Sequence, residues 1–130
     1  MLPEMDEKTN RAGVPELTSG QRAEALEAAA AMRAERAKIR VDLKAGDVTP
    51  EEVLYGEGPA CRGMRLYTFL TACPGVGSPT ARRLVREAGS SEARRLQGLG
   101  RRQRRFLADA LALIAAGTHP TEAIGRAKSA

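Results

Sequence analysis

The spacing of apolar and polar positions divides the chain into helical segments punctuated by glycine and proline. Thr18 with Gln21 three places on reads as a capping box, and the segment after Gly20 runs without glycine or proline as far as Gly46. A long helix over 18–46 is predicted, with Gly46 as its stop. Leu26, Ala30, Ala34, Ala37 and Val41 fall on one predicted apolar face, and Arg33, Arg36, Arg40 and Lys44 form a basic stripe. Thr49-Pro50-Glu51-Glu52 then starts a short helix ending near Gly56.

"YGEGPACRG" reads as a connector, after which Met64, Leu66, Tyr67, Phe69 and Leu70 mark a helix that ends before Pro74. Ser78-Pro79 opens another, with Ala81, Leu84 and Val85 inward and Gly89 as its end. Ser90 or Ser91 is expected to cap a short turn reaching Arg95. "GRRQRRFLADALALIAAG" gives a longer helix with Leu107, Leu111 and Ile114 inward and Gly117 at its end. The pattern thus predicts an all-α fold: a leader over 1–17 without periodicity, the long helix over 18–46, a compact helical domain over 47–117, and a flexible tail over 118–130.

Composition supports helices, since Tyr55, Tyr67, Phe69 and Phe106 are the only aromatic residues and alanine abounds. The chain has no run of eighteen apolar residues, and its polar, acidic start does not resemble a signal segment, so a soluble, cytoplasmic protein is expected. Cys61 and Cys73 lack metal or redox spacing and read as packed thiols, so neither metal nor cofactor is expected.

Charge changes the picture more. Residues 1–61 carry eight basic and twelve acidic groups, whereas 62–130 carry thirteen basic and four acidic ones; of the twenty-one basic residues, seventeen are arginine. A polyanion is the obvious partner for the second half, and arginine's planar fork suits phosphate. Two Gly-apolar-Gly triplets, Gly75-Val76-Gly77 and Gly98-Leu99-Gly100, each stand before a predicted helix, where unpaired backbone N–H groups collect positive charge. Glycine lets a phosphate approach, while Val76 and Leu99 can anchor each loop from the core side. Arg82 and Arg83 follow the first triplet; Arg94, Arg95, Arg101 and Arg102 surround the second. Both triplets also read as tight interhelical turns with no ligand, and the stripe on the long helix reads equally as a solvated face neutralised by Glu24, Glu27 and Glu35.

The order of "FLTACPGVGSPTARRLVREAG", "SEARRLQGLG" and the glutamine of "RRQRRFL", behind the long N-terminal helix, resembles the actinobacterial integration host factor family and its helix-two-turn-helix (a helix-hairpin-helix relative) from about Leu17 to Leu107. That resemblance implies a nucleoid-associated protein without enzymatic activity that binds and bends double-stranded DNA with little sequence preference and can support phage site-specific DNA recombination; a phage integrase or recombinase as partner and a monomeric state are further expectations. It places Gly75, Val76, Gly77, Arg94 and Arg95 against DNA. With the residues nominated by charge and spacing, the candidate DNA-binding set also takes in Ser78, Thr80, Arg82, Arg83, Gly98, Gly100, Arg101, Arg102, Arg33, Arg36 and Arg40. Ser78 and Gln97 stand where the family usually carries a basic residue, Ser90 where it is usually apolar, and nothing after Ala112 has an evident counterpart.

Structured RNA is the second reading, because a ribosomal protein uses a comparable module. Single strands are disfavoured by the shortage of aromatics near the basic stretches. Glycosylase-type catalysis lacks a positioned acid or nucleophile, because His119 stands alone and Asp109 is spaced to pair with Arg105. A recombinase-contacting role for the long helix, with DNA secondary, is a further reading.

Overall fold

The computed structural model describes residues 17–130. The expected leader, apart from Leu17, lies outside the described residues. The described residues divide into two units, 17–31 and Met32–Ala130. Among the described residues the regular elements are all helical: α1 (Ser19–Ala45), α2 (Pro50–Leu54), α3 (Pro59–Arg62), α4 (Leu66–Ala72), α5 (Ser78–Glu87), a 3-10 turn (Leu96–Gly98), α6 (Arg101–Ala115) and α7 (Pro120–Ser129). None of these helices is long and apolar enough to cross a membrane.

Local chemistry sets most of the boundaries. Before α1, the Gln21 N–H donates to Thr18 Oγ1 at 3.0 Å and the Thr18 N–H to Gln21 Oε1 at 2.8 Å, a reciprocal capping box. Thr49 and Glu52 repeat the arrangement at α2, with Pro50 in its first turn. Gly46, Gly89 and Gly117 take φ of 82°, 70° and 104°, the left-handed conformation that ends α1, α5 and α6. Within the connector read from sequence, α3 forms one helical turn. Gly56 makes room for it, since a Cβ there would lie 2.9 Å from Cys61 Sγ.

In Met32–Ala130 the core is built on Phe69, Met64, Leu66, Leu70, Leu84, Leu107 and Leu111, all essentially inaccessible. α6 packs against α2 and α7, and α4 against α5. Every inward position expected on α5 and α6 is buried.

Three expectations are corrected. The apolar face assigned to α1 is solvent-facing: Leu26 is 70 % and Val41 65 % exposed. In the second half of the helix Met32, Ile39 and Leu43 turn inward instead, and only Leu43 is fully buried. The alanine-rich stripe lost because each alanine buries little area, whereas one leucine and one isoleucine at a spacing of four give a stronger apolar contact. The second correction is the flexible tail over 118–130, of which residues 120–129 form α7. Ala123, Ile124 and Ala127 are buried, the Thr121 N–H donates to His119 Nδ1 at 3.1 Å, and Lys128 Nζ meets Glu87 Oε1 at 2.8 Å. Tertiary burial and a histidine N-cap stabilise a segment whose own periodicity is weak.

The turn expected through Arg95 also differs. The Arg94 N–H donates to the Ser91 carbonyl at 3.2 Å, but Arg95 is extended (φ −84°, ψ 153°) and the 3-10 turn begins only at Leu96. The segment pairs with the approach to α4: the Leu66 N–H donates to the Arg94 carbonyl at 2.7 Å and the Leu96 N–H to the Met64 carbonyl at 2.9 Å. Arg65 and Arg95 therefore stand directly opposite one another in a one-pair antiparallel bridge.

Candidate nucleic-acid interface

Each glycine triplet is a bend held from inside and open outside. Val76 and Leu99, the central residues, are 6 % and 4 % exposed, while Gly75, Gly77, Gly98 and Gly100 face solvent. Within the first bend Gly75 adopts φ 76°, and a Cβ there would approach Ile114 Cγ2 to 3.0 Å, so the fold itself demands glycine. Gly77 is different. Its φ is −94°, and an added Cβ would meet only Pro79 Cδ at 3.8 Å. The space that its missing side chain leaves open lies outside the protein. At the second bend a Cβ on Gly98 would meet only the exposed side chain of Arg94, its Cδ at 2.9 Å, and one on Gly100 only Gln103 Oε1 at 3.6 Å, so neither glycine is demanded by the fold as Gly75 is.

α5 and α6, which follow the bends, have no side chain capping their first-turn N–H groups, whereas Thr18, Thr49 and His119 cap α1, α2 and α7. At α5 the Ala81 N–H reaches the Gly77 carbonyl, and no acceptor among the described residues meets the N–H groups of Gly77, Ser78 or Thr80. At α6 the Gly100 N–H is taken by Gln103 Oε1 at 2.8 Å, leaving those of Arg101, Arg102 and Gln103 pointing out of the helix start. Gln103 also donates through Nε2 to the Ala88 carbonyl at 3.0 Å, tying the second bend to the end of α5. Two helix N-termini thus present unpaired donors and the positive end of a helix dipole.

The side chains nominated from sequence separate into groups. Val76 serves its loop from inside, its N–H donating to the Cys73 carbonyl at 3.3 Å. A role for Val76 against a ligand is therefore indirect, through the bend it anchors. Ser78 Oγ lies 2.8 Å from the Tyr67 hydroxyl, and the Arg82 guanidinium stacks 5.8 Å from the Tyr67 ring centre while pairing loosely with Glu92 at 3.7 Å. Ser78, Thr80 and Arg82 belong to the first bend. Arg83, next in sequence, points elsewhere and donates to Thr121 Oγ1 on α7 at 2.9 Å. Arg94 and Arg95 also diverge, as successive residues of an extended segment must. Arg94 donates to the Gly98 carbonyl at 3.2 Å and lies on the second bend, whereas Arg95 donates to the Gly63 carbonyl. Arg101 and Arg102 are exposed on the first turn of α6.

Arg33, Arg36 and Arg40 gather with Arg95 in a cleft between α1 and the start of α4, not at either bend. Arg65, which sequence reasoning passed over, lines the same cleft. Its proximity depends on the long-range bridge to Arg95 and leaves no local signal. Burial pushes the Cys73 thiol up to about 12, and burial, aided by Glu35, also raises Cys61, so neither is a nucleophile in waiting. Among the described residues no cluster of His, Cys, Asp or Glu could hold a metal.

The family profile described as "S13-like H2TH domain" matches residues 43–111, which span both bends. The chain is 40 % identical over 92 residues to the integration host factor of Streptomyces coelicolor, covering 69 % of this chain and 86 % of that protein. It is 42 % identical over 96 residues to the integration host factors of Mycolicibacterium smegmatis and Mycobacterium tuberculosis, covering 72 % of this chain and 91 % of each. The structure of sIHF bound to an 8bp palindromic DNA superimposes with a TM-score of 0.60 and 36 % identity, covering 62 % of this chain and 93 % of that one. Two solvent-facing glycine bends, each anchored by a buried apolar residue and each opening an uncapped helix, within a chain this similar over most of its relatives' length, place the protein in the actinobacterial integration host factor family.

Proposed function

We propose that this protein is an architectural, nucleoid-associated DNA-binding protein that grips the outside of duplex DNA through backbone phosphates. The observation that carries the reading is the pair of uncapped helix starts behind glycine bends, with Arg94, Arg101 and Arg102 beside the second and no carboxylate partner for these three among the described residues. Unpaired N–H groups, a helix dipole and guanidinium forks are the groups that bind phosphate oxygens, and they position a duplex without reading its bases. The DNA-bound state of the sIHF relative supports the same reading over an RNA partner.

The working set is Gly75, Gly77, Ser78, Thr80 and Arg82 at the first bend and Arg94, Gly98, Gly100, Arg101 and Arg102 at the second. Val76 acts as anchor, and Arg83 as a brace to α7. The reading extends to bending of the duplex, to action as a monomer beside a phage integrase or recombinase, and to the absence of catalysis. End-labelled duplexes should report shortened end-to-end distance on binding, and damaged duplexes should be neither nicked nor stripped of bases.

The deciding experiment titrates a duplex at two salt concentrations, with an RNA duplex as competitor. If about six phosphates are neutralised, affinity falls roughly a thousandfold between 50 and 200 mM salt. Binding that barely changes over that range, or a preference for the RNA duplex, overturns the proposal.

A further inference from the structure

The cleft between α1 and the start of α4 has a volume of about 340 Å³ and is lined by five arginines, Arg33, Arg36, Arg40, Arg65 and Arg95. None of the five is in an ion pair among the described residues, and no carboxylate lines the cleft. The arrangement is costly to an empty protein. Arg33, Arg36 and Arg40 repeat at three and four places along one helix, where like charges repel, and Arg65 sits directly opposite Arg95 across the bridge, where like charges are again destabilising.

The cleft is also built rather than incidental. Arg36 tucks in against Gly63, where a Cβ would sit only 2.7 Å from Arg36 Nη2. Arg36 Nε is buried with no hydrogen-bond partner, and Arg95 is steered into the cleft by its bond to the Gly63 carbonyl. A buried donor left unsatisfied, beside four more charged donors, calls for an anionic acceptor with several oxygens.

We propose that this cleft is a binding site for linked phosphate groups, of the kind found in a diphosphate moiety, and that it is distinct from the two glycine bends. Arginines from one helix, α1, and from the two extended segments that meet at the Arg65–Arg95 bridge line it, so that two neighbouring phosphates can each accept bidentate bonds. The concave site suits a compact free anion better than the convex side of a double helix about 20 Å across, whose phosphates are already met by the bends under the proposed function. The cleft proposal stands whether or not that reading of the bends is correct.

Calorimetric titration of the full chain with inorganic pyrophosphate, at constant ionic strength, tests it. Saturable one-to-one binding is expected, with orthophosphate at least tenfold weaker. Arg36→Gln combined with Arg40→Gln should weaken pyrophosphate binding at least tenfold, as loss of charge-assisted bonds implies. Gly77→Ala should leave it unchanged. Because Arg36 is partly enclosed, Arg33→Gln, at an exposed side chain, provides a second variant whose melting curve should match the parent while pyrophosphate binding weakens about threefold or more. Tripolyphosphate and ADP titrated in parallel separate an inorganic chain from a nucleotide as the source, and tight binding of either supports the site.

Absence of saturable pyrophosphate binding, or binding indifferent to the arginine substitutions in folded variants, overturns the proposal. So does an equal loss of duplex affinity in the Arg36/Arg40 variant, which would assign the cleft to the DNA backbone. Pyrophosphate binding without duplex binding would defeat the proposed function and leave this inference standing; the converse result would do the reverse.

Discussion

Gly75 and Gly77 stand two positions apart and answer to different forces, the first to the fold and the second to whatever lies outside it. Gly75→Ala places a Cβ at φ 76° and against Ile114, and should cost about 1–2 kcal/mol from the left-handed backbone alone. Gly77→Ala meets open space, and should cost under about 1 kcal/mol as a slightly poorer N-cap. Duplex affinity should fall roughly tenfold in Gly77→Ala, the worth of one charge-assisted hydrogen bond to phosphate. Melting curves and duplex titrations on the two variants check this, and a Gly77→Ala protein of undiminished affinity would show that the open space has no ligand. The thiols supply an independent check on the core. Cys73, buried and pushed up to about 12, should resist alkylation near pH 8 until denaturant is added, while the partly exposed Cys61 should react first; mass spectrometry counts the adducts. At this scale the sequence spoke clearly about the bends, because glycine before a helix start is a local signal. It could not reveal that Arg94 and Arg95 part company, or that Arg65 joins Arg95, because both follow from pairing between segments thirty residues apart in the chain.

Among the elements, α2, α5 and α6 were legible because caps and inward positions lie within each segment: Thr49 with Glu52, Ala81 with Leu84 and Val85, Leu107 with Leu111 and Ile114. α7 was not, since Gly125 interrupts it and its three buried residues find their partners only in the folded protein. Its stability should accordingly be tertiary. Ile124→Ala should destabilise Met32–Ala130 by about 2–4 kcal/mol, as expected of a buried isoleucine truncation, and this can be read from denaturant unfolding. The hydrogen bond from Lys128, with its charge, holds the Glu87 carboxyl below its ordinary value of 4.5. A carboxyl depressed in the folded state contributes stability above its unfolded pKa and loses it as pH falls through the folded one. Amide exchange in α7 should therefore be better protected at pH 7 than at pH 3, after correction for the intrinsic rate, and Lys128→Ala should flatten that difference. The long helix α1 gives the opposite lesson, because its existence was plain while its inward face was misread: alanine spacing marks a stripe but does not determine which stripe is covered.

For the whole molecule, the excess of positive charge in the second half of the sequence is divided among several destinations, the first bend with Arg82 among them, rather than spread as one field. Arg94, Arg101 and Arg102 lie around the second bend, Arg65 and Arg95 enter the cleft with the α1 arginines, and Arg83 is spent on α7. Total charge sets attraction to a polyanion, but the salt dependence of binding counts only the groups that replace counterions at phosphates. Single substitutions should therefore sort by destination even though each removes one positive charge. Arg101→Gln should lower the slope of log affinity against log salt by about 0.9, the value for one phosphate contact on B-form DNA. Arg83→Gln, whose guanidinium is engaged by Thr121, should leave the slope unchanged within error and reduce affinity only slightly through the overall field. Duplex titrations at four or more salt concentrations measure both slopes. Equal slopes for the two variants would mean that the arginines act as a diffuse cloud, and the assignment of phosphates to the helix starts would then have no support from charge.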